Sequence, residues 1–306
     1  MAKIVVIGSS NTDMVVKTDK FPVPGETILG GEFFMFSGGK GANQAVAAAR
    51  MGCEVTLICK IGDDIFGQRS VDEFNNEGIN TSYIQKDTEK VSGTALILVD
   101  ANGENEIVVA SGANEKLAEI NIEAAHDAIA AADVILLQLE IPVASVLYAA
   151  KKAFELGKKV ILNPAPAQKL PDELLKYLHL ITPNETEAEI LTGIKVTDRN
   201  SAAAAAEKLM SMGVQNAIIT MGAEGAYFKN HVIEMLVKSP RVNAIDTTAA
   251  GDTFNGVLAV GITSGRDWEE SISFACQAAA ISVTRMGAQA SMPYLEEVKE
   301  LVRINA

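Results

Sequence analysis

One rhythm constrains this chain more than any other feature. Through most of its length, short runs of β-branched and aliphatic residues alternate with stretches of helical periodicity. KIVVIG is followed by GANQAVAAARMG, VTLICKIG by a stretch ending at Gly78, and VILLQL by VASVLYAAKKAFELG; VILNPA, LHLITP and AIITMG continue the series. The strand-like runs are apolar throughout, with no polar face, as a sheet covered on both sides requires, and strand–helix–strand order supplies that cover. The pattern predicts an α/β fold: a doubly wound, mostly parallel central sheet flanked by helices. The last third ends in helices over roughly 250 to 264, 268 to 284 and 294 to 304, with Gly265 and Gly287 near the breaks.

Two stretches interrupt the rhythm. MVVKTDKFPVPGETILGGEFFMF and GTALILVDANGENEIVVASG read as strands joined by Pro/Gly or Asn-Gly turns, a hairpin signature. They predict a separate small sheet, with strands from about 12–37 and 91–112, set into a single domain spanning 1–306. A surface decoration would use the same pattern. Two insertions of like character, each beside a candidate site residue or helix, favour a lid that closes on substrate and excludes water. Its outer face could pair with a second copy and make a homodimer.

With 306 residues, 48% of them hydrophobic, the chain can bury a large core, and length alone leaves one or two domains open. A formal net charge of −13 argues against nucleic acid or an anionic membrane as partner, although an anionic small molecule can still bind locally. Cys53, Cys59 and Cys276 are odd in number and lack CxxC or Cys/His spacing, which points to buried free thiols and away from disulfides or zinc. No run approaches the ~18 apolar residues of a membrane span, and MAKIVVIGSS is too short in its apolar part for a signal peptide. The expectation is a cytoplasmic protein.

The common phosphate fingerprints are missing. GGKG at 38–41 has Gly41 where a P-loop needs a hydroxyl, and the first strand is followed by GSSNTD, not GxGxxG. HExxH and GxSxG are also absent. Four other segments converge on one chemistry. In GSSNTD, Asn11 and Asp13 follow the first strand, where open parallel sheets bind ligands, and an amide with a carboxylate can hold vicinal hydroxyls. In SGGKGANQAVAAA, Gly39 frees the backbone, Lys40 adds a cationic donor and Asn43 sits in the first turn of the next helix; a plain glycine turn with a cap would look the same. NPAP at 163–166 precedes TPNETEAEIL, where Asn184 and Glu187 lie three apart at a helix start; they suit hydrated Mg²⁺, or a dipole-complementing acidic first turn. TMGAEGAYF, from Thr220 through Met221, Gly222, Ala223, Glu224 and Gly225, forms a tight strand connection along which a nucleotide could lie, or a simple hairpin.

The segment DTTAAGDTFNG, Asp246 to Gly256, is harder to read as a mere turn. Ala249, Ala250 and Gly251 open an apolar helix whose first N–H groups are free for an anion, and Asp252 stands at that opening.

In GGKGANQAVAAARMG and DTTAAGDTFNG, and in the ordered motifs GSSNTD, GGKGAN, QLEIP, NPAP, PNETE and TRMGAQAS between and beyond them, the chain resembles the ribokinase family of carbohydrate kinases over nearly its whole length. The resemblance implies a ribokinase-like fold and ATP-dependent phosphorylation of D-ribose at O5. It implies that Asn11, Asp13, Gly39, Lys40, Asn43 and Glu140 hold the sugar hydroxyls, that Asp252 is the base, and that Ala249, Ala250, Gly251 and Asp252 frame the anion hole. ATP would meet Asn184, the stretch Thr220 to Gly225, Gly251 and Cys276, with Asn184 and Glu187 governing Mg²⁺. A monovalent cation, normally K⁺, would sit among Asp246, Thr248, Ser282, Arg285, Gly287 and Ser291. Ala290 departs from the family, which often has proline there, and a looser cation loop follows.

Phosphoryl transfer through a loose transition state asks the protein mainly to align donor and acceptor and to neutralise charge. An aspartate beside a helix dipole should be a weak base, so proton transfer is expected late. The alternatives are a kinase for deoxyribose, fructose or adenosine, a non-catalytic sugar-binding regulator, and an NAD-linked oxidoreductase that lacks its fingerprint.

Overall fold

The computed structural model describes residues 2–305. The chain begins with β1 (Lys3–Ile7), β2 (Asn11–Lys17), β3 (Glu32–Gly38) and α1 (Lys40–Arg50), then β4 (Glu54–Gly62), α2 (Ile65–Asn76) and β5 (Ile84–Asp87). It continues through β6 (Gly93–Val99), β7 (Asn105–Ala110), α3 (Glu119–Glu123), α4 (His126–Ala131), β8 (Val134–Leu137), α5 (Val143–Glu155), β9 (Lys159–Leu162), α6 (Asp172–Leu175) and β10 (Leu180–Ile181). The remainder is α7 (Glu185–Thr192), α8 (Arg199–Ser211), β11 (Asn216–Thr220), β12 (Ala226–Lys229), β13 (Glu234–Val237), α9 (Ala250–Thr263), α10 (Trp268–Ser282) and α11 (Leu295–Asn305).

Among the described residues, nine strands form one sheet in the order β13-β12-β11-β10-β9-β8-β1-β4-β5, parallel from β5 to β11 and antiparallel only at β12 and β13. The apolar strands serve two cores at once. Ile4 and Val6 of β1 point into a cluster with α1, α9 and α10, while Val5 and Ile7 join a second cluster with α5 and α8 on the opposite face. That double burial is why the strands carry no polar alternation. On the first face, α1 lies against α9 with alanines Ala45, Ala47 and Ala48 buried between them. At Gly256 an added Cβ would come 2.6 Å from the Gln44 carbonyl, so the helix contact depends on having no side chain there.

The chain winds outward in both directions from the β1/β8 pair, which makes this pair the topological switch point of the sheet. A crevice for ligands opens beyond the carboxyl ends of strands at such a point. Asn11 follows β1 and Glu140 follows β8, one on each side of that crevice.

The two interruptions form a four-stranded sheet in the order β3-β2-β6-β7. Each is an antiparallel pair, Asn11↔Gly38 to Lys17↔Glu32 in one and Thr94↔Ala110 to Val99↔Asn105 in the other. Their junction, β2 with β6, is parallel, which neither hairpin signature could announce. Because the strand period is two, Asp13, Val15, Phe36 and Ile97 share the face that borders a cavity of about 730 Å³, with Asp246, Thr248 and Gly287 across it. The opposite face carries exposed Phe33, Leu96 and Val108. The short elements β5, α3, α4 and α6 had no recognisable period in the sequence. Cys59 and Cys276 are buried thiols as expected, whereas Cys53, at the mouth of β4, is only partly buried. Among the described residues no helix is long and apolar enough to cross a membrane.

Candidate active site

Asp252 is the centre of the site. It lies in the first turn of α9 and is 5% exposed, with Asn43 Nδ2 donating to Oδ2 at 2.9 Å and Gln44 Nε2 donating to Oδ1 at 3.1 Å. Burial pushes its carboxyl above the usual carboxylate range, against the pull of Lys40 and the two amides. Desolvation of the inward-turned side chain thus acts against the weakening expected from the helix start.

The turn that delivers Asp252 is strained. Ala249 has φ 59 and ψ 13, and it is the only non-glycine residue at positive φ among those described. A left-handed alanine costs of order 1 kcal/mol and persists only where the surroundings impose it. Here the Ala250 amide donates back to the Thr247 carbonyl at 3.3 Å, which leaves the Gly251 amide at the mouth of α9. Gly251 is exposed, has no positive φ, and an added Cβ would meet nothing within 4 Å. The fold itself therefore does not require glycine at this position, and the open volume above its amide is the feature that does.

Around Asp252 the sheet and α1 bring a polar ring. Gly39 has φ +88, and a Cβ there would strike Ser10 and the Asn11 amide; Gly41 presses on the Gly8–Ser9 backbone. Two glycines thus let the start of α1 lie directly on the end of β1. No side chain caps α1, so the reading of these glycines as part of an ordinary capped turn does not apply. Glu140 Oε2 accepts from the Lys40 amide at 3.0 Å and from Ser9 Oγ at 2.5 Å, joining the two sides of the crevice. Asn11 Oδ1 accepts from Asn114 Nδ2 at 2.8 Å. Asp13 lies over Gly38, where a Cβ would come 2.2 Å from its carboxylate, and its pKa is raised to about 7 by burial and by Glu140 and Asp252. Burial would lower the Lys40 pKa, but the carboxylates of Asp252, Glu140, Glu187 and Asp13 outweigh it and hold the ammonium firmly charged. Asn43 Oδ1 is buried with no partner, an acceptor ready for a hydroxyl. An ammonium, three carboxylates and open amide acceptors lining one crevice form a polyol site.

The residues expected at the nucleotide and the cations come from α7, the β11–β12 connection, α10 and the loops on either side of α9 and α10. Asn184 caps α7 through a reciprocal box: its Oδ1 accepts from the Glu187 amide at 2.8 Å, and Glu187 Oε2 accepts from the Asn184 amide at 2.9 Å. The capping role is real, yet Glu187 is also buried, its carboxyl raised by desolvation, and it faces Lys40. Its charge acts on both Lys40 and Asp252. Thr220 ends β11, Met221 is buried, Gly222, Ala223 and Glu224 form an exposed turn, and Gly225, at φ +101, returns the chain into β12. Cys276, on α10 and expected at the nucleotide, lies within the hydrophobic core. Asp246 ties two loops together, accepting from the Thr248 amide and the Gly287 amide at 2.9 Å each. Ser282 Oγ donates to the Ala279 carbonyl and Ser291 Oγ to the Ala288 carbonyl, while the Arg285 guanidinium turns to Glu297. Among the described residues no three His, Cys, Asp or Glu side chains could jointly hold a metal ion. An ion at either position would therefore draw on carbonyls, hydroxyls, water or nucleotide oxygens, the ligand set that alkali ions and hydrated Mg²⁺ accept.

Sequence reasoning missed several supporting residues. Arg50, at the end of α1, donates from Nη1 to the Gln289 and Met292 carbonyls at 2.7 and 2.8 Å, pairs with Glu77, and stacks on Tyr294. It holds the loop around Ala290 from outside. Gln44, Gln138, Asn163, Thr182 and Asn255 form a buried polar chain beneath Asp252. Three follow strands and two lie in helices, and although each falls inside a quoted motif, none was singled out there as a site residue.

A polyol crevice beside an amide-lined helix start, with a buried base between them, defines a phosphotransferase acting on an alcohol, and the chain belongs to the pfkB family of carbohydrate kinases, whose model matches residues 1–295. Two curated relatives narrow the class. The chain is 46% identical over 299 residues to a ribokinase of Haemophilus influenzae, covering 98% of both chains, and 40% identical over 303 residues to a deoxyribokinase of Salmonella typhi, covering 99% of both. Among solved structures, an Arabidopsis thaliana ribokinase complexed with ribose and ATP superposes with a TM-score of 0.92 at 30% identity, covering 99% of each chain.

Proposed function

We propose that the protein transfers the γ-phosphoryl group of ATP to O5 of D-ribose, giving ribose 5-phosphate and ADP. The observation that carries this reading is the caged Asp252, raised in basicity by burial and seated directly beside the Gly251 amide, above which no atom lies within 4 Å of where a Cβ would stand. Asn11, Asp13, Gly39, Lys40, Asn43 and Glu140 hold the hydroxyls and align the C5 oxygen. As the bond to the leaving phosphate stretches, charge gathers on the migrating group, and the α9 amides meet it without reorganising solvent. Asp252 takes the hydroxyl proton. ATP lies along Asn184 and Thr220 to Gly225, with Gly251 and the edge of α10 at Cys276. Mg²⁺ would lie over Asn184 and Glu187 through water, supplying charge to the phosphates. K⁺ would lie among Asp246, Thr248, Ser282, Arg285, Gly287 and Ser291, chiefly on their carbonyls, and stiffen the turn that presents the amides. The small sheet acts as the lid of one domain, its apolar outer face of Phe33, Leu96 and Val108 pairs with a second copy, and the enzyme works in the cytoplasm.

Coupled ADP-release assays with ribose, deoxyribose, fructose and adenosine, each in K⁺ and in Na⁺ buffer, test the reading. Ribose should give the highest kcat/KM, and only with K⁺ should the rate be full. Preference for deoxyribose would transfer the reading to that sugar, and equal rates in Na⁺ would remove the cation. Light scattering should give a dimer, which Val108→Lys should split.

A further inference from the structure

We propose that Gln44 is the positioning residue of the base, held in one orientation by the two acceptors it donates to and supported from behind by Gln138. This rests on the reading of Asp252 as base. Gln44 is fully buried, 0% exposed, on a helix whose neighbouring buried residues are mainly alanines, a place where an unused amide would be costly. Its amide is used at both ends. Nε2 donates to Asp252 Oδ1 and to Asn163 Oδ1, both at 3.1 Å, and Oε1 accepts from Gln138 Nε2 at 2.7 Å. A flipped Gln44 would oppose its carbonyl oxygen to Asp252 Oδ1 and to Asn163 Oδ1, whose own Nδ2 is committed to the Thr182 carbonyl, so these two acceptors set the orientation and Gln138, with no other partner, supports it by donating to Oε1.

The arrangement is built from the sheet. Gln138, Asn163 and Thr182 are each the first residue beyond a strand, after β8, β9 and β10, three neighbours in the sheet. From Asn163 the chain of bonds continues to the Thr182 carbonyl at 3.4 Å. Thr182 Oγ1 then donates to Asn255 Oδ1 at 2.6 Å, and Asn255 Nδ2 to the Gly251 carbonyl at 2.8 Å. The chain therefore starts at the Asp252 carboxylate and returns to the backbone of the same helical turn. Base and anion hole are registered to one rigid sheet edge. Gly8 makes room for this, since a Cβ there would come 2.1 Å from Gln138 Oε1.

Asp252 is faced by Lys40 and Asn43 from α1, Glu140 from beyond β8, Asp13 from β2 and Glu187 from α7. A substitution at Gln44 leaves all of these charges in place. Losing its donor removes one interaction that favours the ionised base and frees the carboxylate to rotate.

The test compares wild type, Asp252→Asn, Gln44→Met and Gln138→Met in ribose phosphorylation from pH 5 to 9, with ribose affinity by calorimetry. Gln44→Met should lower kcat roughly 10- to 100-fold, as a misplaced catalytic group does. Ribose Kd should stay within about threefold, and the acid limb of kcat should move up by about one pH unit. Gln138→Met should move both in the same direction by less, and it carries the test if Gln44→Met does not fold. An unmoved acid limb with kcat within twofold of wild type, in a folded variant, overturns the proposal. Activity surviving in Asp252→Asn overturns the base reading itself, and the proposal with it.

Discussion

Gly251→Ala should make the protein more stable and nearly dead. The residue is exposed in the first turn of α9, its φ is not in the left-handed region, and a Cβ built on it meets nothing within 4 Å. Nothing in the fold resists alanine, and replacing a helical glycine reduces the entropy of the unfolded chain. The expected gain is up to about 0.5–1 kcal/mol, less if the first turn frays. The same methyl fills the space that the transferring phosphoryl group requires and holds it away from the amides. Removing one donor from such a hole typically costs ~10²–10³ in kcat. Urea unfolding read by circular dichroism gives the first quantity, and coupled ADP release gives the second. Opposite signs are the signature: an improved midpoint with a collapsed rate. If Gly251→Ala were more stable and fully active, the open volume above this turn would not be where phosphate moves.

Other outcomes follow from the same geometry. Asp13 has its pKa raised from 3.8 to about 7 in the free protein, so whatever stability it contributes is complete below pH 4 and is lost as pH rises through 7. Asp13→Asn should therefore stabilise the free protein at pH 8, by on the order of 2–4 kcal/mol, and not at pH 4, while weakening ribose binding; denaturant curves at the two pH values decide it. Gly38→Ala drives a methyl into that carboxylate and should raise the KM for ribose well beyond any change in melting temperature. Arg50→Ala removes two carbonyl contacts and leaves Glu77 unpaired; a loss of about 2–4 kcal/mol is expected, together with a higher K⁺ requirement, read by activity against K⁺ concentration.

The legibility of this chain follows from where its information lies. Continuous apolar strands announced the doubly wound sheet because each serves two cores, and Ile4 to Ile7 divide evenly between them. The pair Gly251 and Asp252 was visible because a turn alone has no use for an acid after two alanines and a glycine. Asn184 and Glu187 were visible too, but their capping box shows that one pattern can serve both helix and ligand. Gln44, Gln138, Asn163, Thr182 and Asn255 stayed hidden because their meaning is spatial. Each is a common polar residue, separated by up to 208 positions from its partners, and only the crossing of α1, α9 and three strand ends makes them a chain. Arg50 was hidden for the same reason. The burial that raises the Asp252 carboxyl was also hidden, because sequence prints the helix start and not the desolvation around it.

The most direct test measures Asp252→Asn twice, ribose binding by calorimetry and turnover by ADP release. Ribose affinity within a few-fold of wild type, with turnover reduced by ~10²–10⁴, is the expected result, since the amide keeps the shape of the site and cannot accept the proton. Turnover close to wild type would contradict the assignment of the base.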